Sequence, residues 1–157
     1  MKLLLFLLLA SVQLSCAEEL VFSEADRGNL LAVAKQARML TTNRDIPQEV
    51  IRACRKEKED FALANPGENF QSTDAVIWGP GTPPRRRLIW GARLGTFCVL
   101  HYEKGGHGSP KVLVVTSIVK AGEEAEIIWS EYGKKMSFED FISALKLRQL
   151  KRGADRL

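Results

Sequence analysis

The two histidines of the chain fall in one short stretch, His101-Tyr102-Glu103-Lys104-Gly105-Gly106-His107. On a strand His101 and Glu103 face the same side, and His107 follows in a glycine-rich loop. A histidine, a carboxylate and a second histidine can hold a metal or do acid–base work near neutral pH. They define one reading of the chain, a small secreted hydrolase or metal-dependent enzyme using His101, Glu103 and His107. The stretch supplies no further ligand and no nucleophile. The plainer reading makes His101 a hydrogen-bonded strand residue, Glu103 a rim charge and His107 a solvated loop residue. On that reading Glu103→Ala and His107→Ala each change stability by no more than about 0.5 kcal/mol. Cys98 lies three residues before His101, so a strand sends their side chains to opposite faces and no Cys–His dyad forms. No serine sits in a nucleophile-elbow pattern. Nothing in these motifs calls for a cofactor.

The second chemical feature is Gly79-Pro80-Gly81-Thr82-Pro83-Pro84-Arg85-Arg86-Arg87. The glycines and prolines make a stiff surface loop. Alternation in the strand that follows puts Arg85 and Arg87 on one side and Arg86 on the other. With Trp90 nearby, Arg85, Arg86 and Arg87 are candidates for contact with an anionic ligand or a partner protein, through a phosphate, a carboxylate, a lipid headgroup or an acidic surface. The competing reading is a charged strand entry that discourages edge pairing. The stretch does not fit a phosphate-binding P-loop.

The elements that must carry these residues are legible as patterns. A helix is expected over residues 23–40, opened by Ser23 with Asp26 three positions on. A second begins near Pro47, with Val50, Ile51, Cys54, Phe61 and Ala62 on one face. Strand patterns follow at 73–78, 87–92, 96–103, 111–119 and 125–130. Short connections, among them residues 105–110 and 121–124, favour an antiparallel meander. The last helix starts at Ser137, with Asp140 three residues on. Its stripe of Phe138, Phe141, Ile142 and Leu145 should dock on one sheet face. The expected fold is α+β: two N-terminal helices, a four- to five-stranded antiparallel meander and a C-terminal helix packed on one sheet face. The helices are expected together on a single side.

The N-terminus sets the compartment. Lys2 precedes an apolar run from Leu3 to Val12, too short for the roughly 20 residues of a membrane span but suited to a signal peptide. Small residues at Ser15-Cys16-Ala17 place the cut after Ala17. Residues 1–17 are then a signal peptide and 18–157 a single small domain. Cys16 offers a lesser alternative, lipid anchoring, though Gln13 stands where an aliphatic residue is usual. Loss of Lys2 lowers the formal net charge from +4 to +3, too mild and too scattered for nucleic-acid binding. No later stretch is long and apolar enough to span a membrane. In a secreted or periplasmic setting Cys54 and Cys98 form either a disulfide or a pair of buried thiols. Export, mild charge and the missing catalytic set favour a soluble binding or interaction protein of inhibitor, immunity or envelope-accessory type. The histidine-based enzyme is the alternative.

Overall fold

The computed structural model describes residues 22–133 and 135–150. Among them run helix α1 (Glu24–Val33), strand β1 (Arg38–Leu40), helix α2 (Gln48–Glu57), strand β2 (Leu63–Ala64), strands β3 (Arg86–Leu94), β4 (Phe97–Lys104), β5 (Lys111–Lys120) and β6 (Glu124–Gly133), and helix α3 (Phe138–Lys146). The fold class is α+β. Strands β3 to β6 form the antiparallel meander. Short β1 lies antiparallel, and β2 parallel, on the outer edge of β3. None of the described helices is long and apolar enough to cross a membrane.

The meander follows from alternation. Along β4, Cys98, Leu100 and Tyr102 point to one face, while Phe97, Val99 and His101 point to the other. All six are buried, so both faces of the sheet must be covered. Helix α2 covers the first with Val50, Ala53 and Cys54, joined by Phe61 and Leu88. Helices α1 and α3 cover the second, where Leu30, Phe141 and Leu145 close over Trp129, Val99 and Val115. This overturns the expectation of helices gathered on one side. Strands buried on both faces require a layer on each, and α2 and α3 take opposite ones.

Three elements differ from the sequence patterns. The first helix ends at Val33, passes through a 3₁₀ turn at Ala34–Gln36, and gives way to β1, which pairs with residues 91–93 of β3. The second stops at Glu57, leaving Phe61 to enter the core from the following turn. Residues 73–78 form no strand. They belong to an irregular excursion between Ala64 and Arg86.

Side-chain ties set the angles between elements. The α3 start is a full capping box: Asp140 N donates to Ser137 Oγ at 3.0 Å and Ser137 N to Asp140 Oδ2 at 3.3 Å. At the far end of the molecule Glu49 accepts from Gly122 N at 3.2 Å, and Arg52 donates to the Gly122 and Glu123 carbonyls at 2.7 and 2.9 Å. These bonds fasten α2 to the β5–β6 turn. The β3–β4 hairpin has two central residues, Gly95 and Thr96. Gly95 sits at φ +59°, which a two-residue loop demands and glycine adopts without strain.

Candidate functional site

His101 is 1% exposed. Its Nδ1 lies 3.1 Å from the Val112 carbonyl oxygen, and Met136 N–H donates to its Nε2 at 3.2 Å. A carbonyl accepts and an N–H donates, so the ring is neutral with its proton on Nδ1. Burial lowers its pKa, and the Val112 bond only partly opposes this. Both ring nitrogens are thus occupied by backbone. The Trp90 ring lies tilted against the imidazole at 5.5 Å, is edge-on to Phe138 at 5.7 Å, and donates from Nε1 to the Met136 carbonyl at 2.7 Å. His101 and Trp90 therefore grip the segment leading into α3, with Trp90 half-buried there. His107 is exposed in the β4–β5 loop. Among the described residues no group of three or more His, Cys, Asp or Glu is placed to hold a metal ion.

Glu103 departs from the rim-charge expectation. Its register places it opposite Arg87 on β3 and Lys111 on β5. Arg87 Nε donates to Glu103 Oε1 at 2.6 Å, and Lys111 Nζ to Oε2 at 2.9 Å. The Glu103 side chain is 13% exposed. Burial raises its pKa, but the bonds from Lys111 and Arg87 more than reverse this and hold the carboxyl below its ordinary range. Arg87 also lies over the Phe70 ring at 4.4 Å and donates to the Glu68 carbonyl at 3.1 Å. Around this triad opens a cleft of about 490 Å³ lined by Asn69, Phe70, Ser72, Arg87, Glu103, Ser109 and Lys111. Ser109 is held at φ +41° in its wall.

The other arginines part company, as alternation requires. Arg86 turns to the α2 face, 3% exposed, donating to Asp60 Oδ1 at 3.3 Å and lying over the Phe61 ring at 5.2 Å. It is a structural cation inside the protein. Arg85 is half-buried at the root of the excursion. Of the four residues nominated for binding, only Arg87 reaches the cleft. Lys111 and Phe70 were missed. Only the strand register pairs Lys111 with Glu103, and register is invisible without the partner strand.

The excursion itself is fastened. Gln71 N donates to the Pro84 carbonyl at 2.9 Å and Gln71 Nε2 to the Pro83 carbonyl at 2.7 Å, while Ile77 N donates to Gln71 Oε1 at 2.9 Å. From the β4–β5 loop, Gly105 N reaches the Arg85 carbonyl at 2.7 Å and Gly106 N the Ser72 carbonyl at 3.1 Å. A Cβ on Gly105 would lie 1.7 Å from the Gln71 carbonyl oxygen, so only glycine allows this approach. Beyond these ties, Ile77 is 63% and Trp78 76% exposed, with Val76 beside them.

Cys54 and Cys98 are both buried on the α2 face of the sheet, and both thiols are free. The disulfide reading is replaced by that of two core thiols. Burial pushes each up to about 12, so neither offers a thiolate at neutral pH. The molecule defines an α+β sheet covered on both faces, with a fastened apolar projection beside a charged cleft. Compared with known proteins, the chain matches no family model, no curated protein and no solved structure.

Proposed function

We propose that the protein is an exported, non-enzymatic binding protein that docks through the end of the molecule formed by the 65–85 excursion. One observation carries this reading: Ile77 and Trp78 stand in solvent on a loop whose base is held by hydrogen bonds at both sides. Exposed apolar area costs about 25 cal/mol per Å² relative to burial, and Trp is enriched among residues that dominate interfaces. A loop already held in shape loses little freedom when it docks. An irregular excursion of this length inside a small domain is commonly a binding loop. The Arg87–Glu103–Lys111 cleft lies at its foot and supports an anionic group on the partner. Export is supported by Lys2 and the apolar run Leu3–Val12. Inhibitor, immunity-type and envelope-accessory roles all fit a chain that works by docking. The enzyme reading gains no support from a His101 ring whose nitrogens are both engaged with backbone.

The test is capture of partners from the native envelope or secretome by the mature chain. It runs beside an Ile77→Ser/Trp78→Ser variant and a Val119→Ser control, with mass spectrometry of co-purifying proteins and lipids. Species retained by the wild type and the control but lost with the double variant are expected. Equal capture by all three would remove the loop from the binding surface. Intact mass of the native protein tests export, since the expected first residue is Glu18.

A further inference from the structure

We infer that the cleft around Glu103 binds a small molecule carrying one oxyanion, a carboxylate or a phosphate, on a hydroxylated carbon skeleton. The inference deepens the binding reading above by naming what the cleft holds, and it makes no use of residues 76–78. Its first support is the charge left over. Two cations, Arg87 and Lys111, share the single carboxylate of Glu103, so the group keeps one surplus positive charge. The cations are also the groups nearer to water: the Arg87 and Lys111 side chains are 30% and 23% exposed, that of Glu103 13%. The carboxyl of Glu68, whose carbonyl Arg87 holds, is itself taken up by Asn65 through two bonds of 2.8 Å. An arriving anion therefore meets positive charge first.

Hydrogen-bond accounting gives the second support. Lys111 Nζ carries three N–H groups and directs two, to Glu103 Oε2 at 2.9 Å and to the Ser109 carbonyl at 3.0 Å. The Arg87 guanidinium carries five and directs three, from Nε and Nη2 to Glu103 and from Nη1 to the Glu68 carbonyl. One N–H on Lys111 and two on Arg87 remain for a ligand. Both cations are already held in place, Arg87 also by the Phe70 ring at 4.4 Å, so little side-chain freedom is lost on binding. Each Glu103 oxygen is engaged by a cation. The cleft therefore has no free carboxylate to receive an ammonium group, and its ligand is an anion rather than a zwitterion.

The uncharged lining sets the rest of the ligand. Asn69, Ser72 and Ser109 line the same cleft, and among the described residues their side chains have no hydrogen-bond partner. Ser109 stands at φ +41° directly after Gly108 at φ +77°. Glycine would take that conformation without strain, so the hydroxyl is kept there at a conformational cost. The one aromatic ring of the lining, Phe70, has a face covered by Arg87. At about 490 Å³ the cleft is far larger than a bare oxyanion and falls within the range of small-molecule sites, about 300–1,000 Å³. Two hydroxyls and an amide beside the cations suit hydroxyl groups next to the ligand's anion and do not suit an apolar body.

Isothermal titration calorimetry of the mature chain tests this, with glucuronate and glucose 6-phosphate as probes and glucose and inorganic phosphate as controls. The acids are expected to saturate one site below about 10 mM. Binding of only one of them would support the site and fix its oxyanion as carboxylate or phosphate. Glucose should not saturate in that range, and inorganic phosphate should bind about tenfold more weakly than glucose 6-phosphate. Ser109→Gly relaxes the loop and removes only the hydroxyl, so it should fold as the wild type and bind about 2- to 10-fold more weakly. Lys111→Gln removes the surplus charge and should weaken binding by about tenfold or more. Asn69→Ala, at an exposed position, gives a further variant that leaves the ion pairs intact. No saturation by either acid would overturn the site. Binding unchanged in Ser109→Gly and Asn69→Ala would overturn it as well, because the ligand would then sit elsewhere. Inorganic phosphate binding as tightly as glucose 6-phosphate would overturn the hydroxylated class. The docking reading fails separately, by partner capture that ignores Ile77 and Trp78.

Discussion

A neutral imidazole closed inside the protein makes His101 a sensor of its own burial. Its folded pKa is lowered, so the stability it contributes is fully present above the unfolded value near 6.5. That contribution is lost as pH falls toward the lowered folded value. The unfolded chain takes up a proton that the folded one refuses. Urea denaturation between about pH 6.5 and 5 should therefore show falling stability, with a slope of at most about 1.4 kcal/mol per pH unit from this residue. His101→Ala should abolish that part of the slope. It should also cost about 2–4 kcal/mol, because the Val112 carbonyl and the Met136 N–H lose their partner. Glu103 adds a second, lower window. Its carboxyl is held below the usual range, so its contribution is present above about pH 4.5 and lost in stronger acid. Glu103→Ala should cost about 1–2 kcal/mol, since Arg87 and Lys111 are left facing one another without their shared counter-ion. His107→Ala, in the exposed loop, should stay within about 0.5 kcal/mol. Comparing the two denaturation midpoints tests the difference in placement.

At the scale of elements, the contact between two loops decides whether the projection stands. Gly105→Ala puts a methyl group into the Gln71 carbonyl, and the two loops must separate. The expected cost is about 2 kcal/mol or more, with faster proteolysis between Ala64 and Arg86. Normal stability with an uncut loop would show that the contact is dispensable. Strands β3 to β6 were readable in the sequence because each is a run rich in β-branched, aromatic and other apolar residues bounded by turn residues, continuous rather than alternating in β4 and β5. Helix α3 was readable because Ser137, Asp140 and its aromatic stripe agree. Residues 38–40 were not, because three residues hold less than one period of any pattern and Leu40 continued a helical one. Residues 73–78 misled for a different reason. Val76, Ile77 and Trp78 are strong strand formers, and apolar side chains in sequence are normally read as buried. Here they face water, and an apolar run placed outside is what marks a surface for contact. The site was half legible: alternation separated Arg86 from Arg87 correctly, but only the pairing of β4 with β3 and β5 reveals that Glu103 is clamped between two cations.

For the molecule as a whole, the sheet acts as a partition between two apolar layers. Ile46 lies on the α2 side and Leu145 on the side of α1 and α3, with no shared neighbours in their clusters. Ile46→Val should cost about 0.5–1.5 kcal/mol and Leu145→Ala about 2–5 kcal/mol. The double variant should equal their sum within about 0.5 kcal/mol. A larger departure would mean that the sheet transmits strain between its faces. The thiols test the integrity of the first layer. In a chain beginning at Glu18, Cys54 and Cys98 should resist a thiol reagent while folded and react as two equivalents once denatured. Absence of free thiol after denaturation without reductant would reinstate the bridge.

The hydrogen bonds that Gln71, Gly105 and Gly106 make at the neck of the excursion have an evolutionary consequence. They separate what the domain needs in order to fold from what it displays. If the excursion is the docking surface proposed above, substitutions in residues 73–82 should cost the folded domain little, and lineages of this protein should diversify there first while the framework is inherited unaltered. For the same reason the neck is a natural graft point, where a foreign recognition sequence could be installed without redesigning the scaffold.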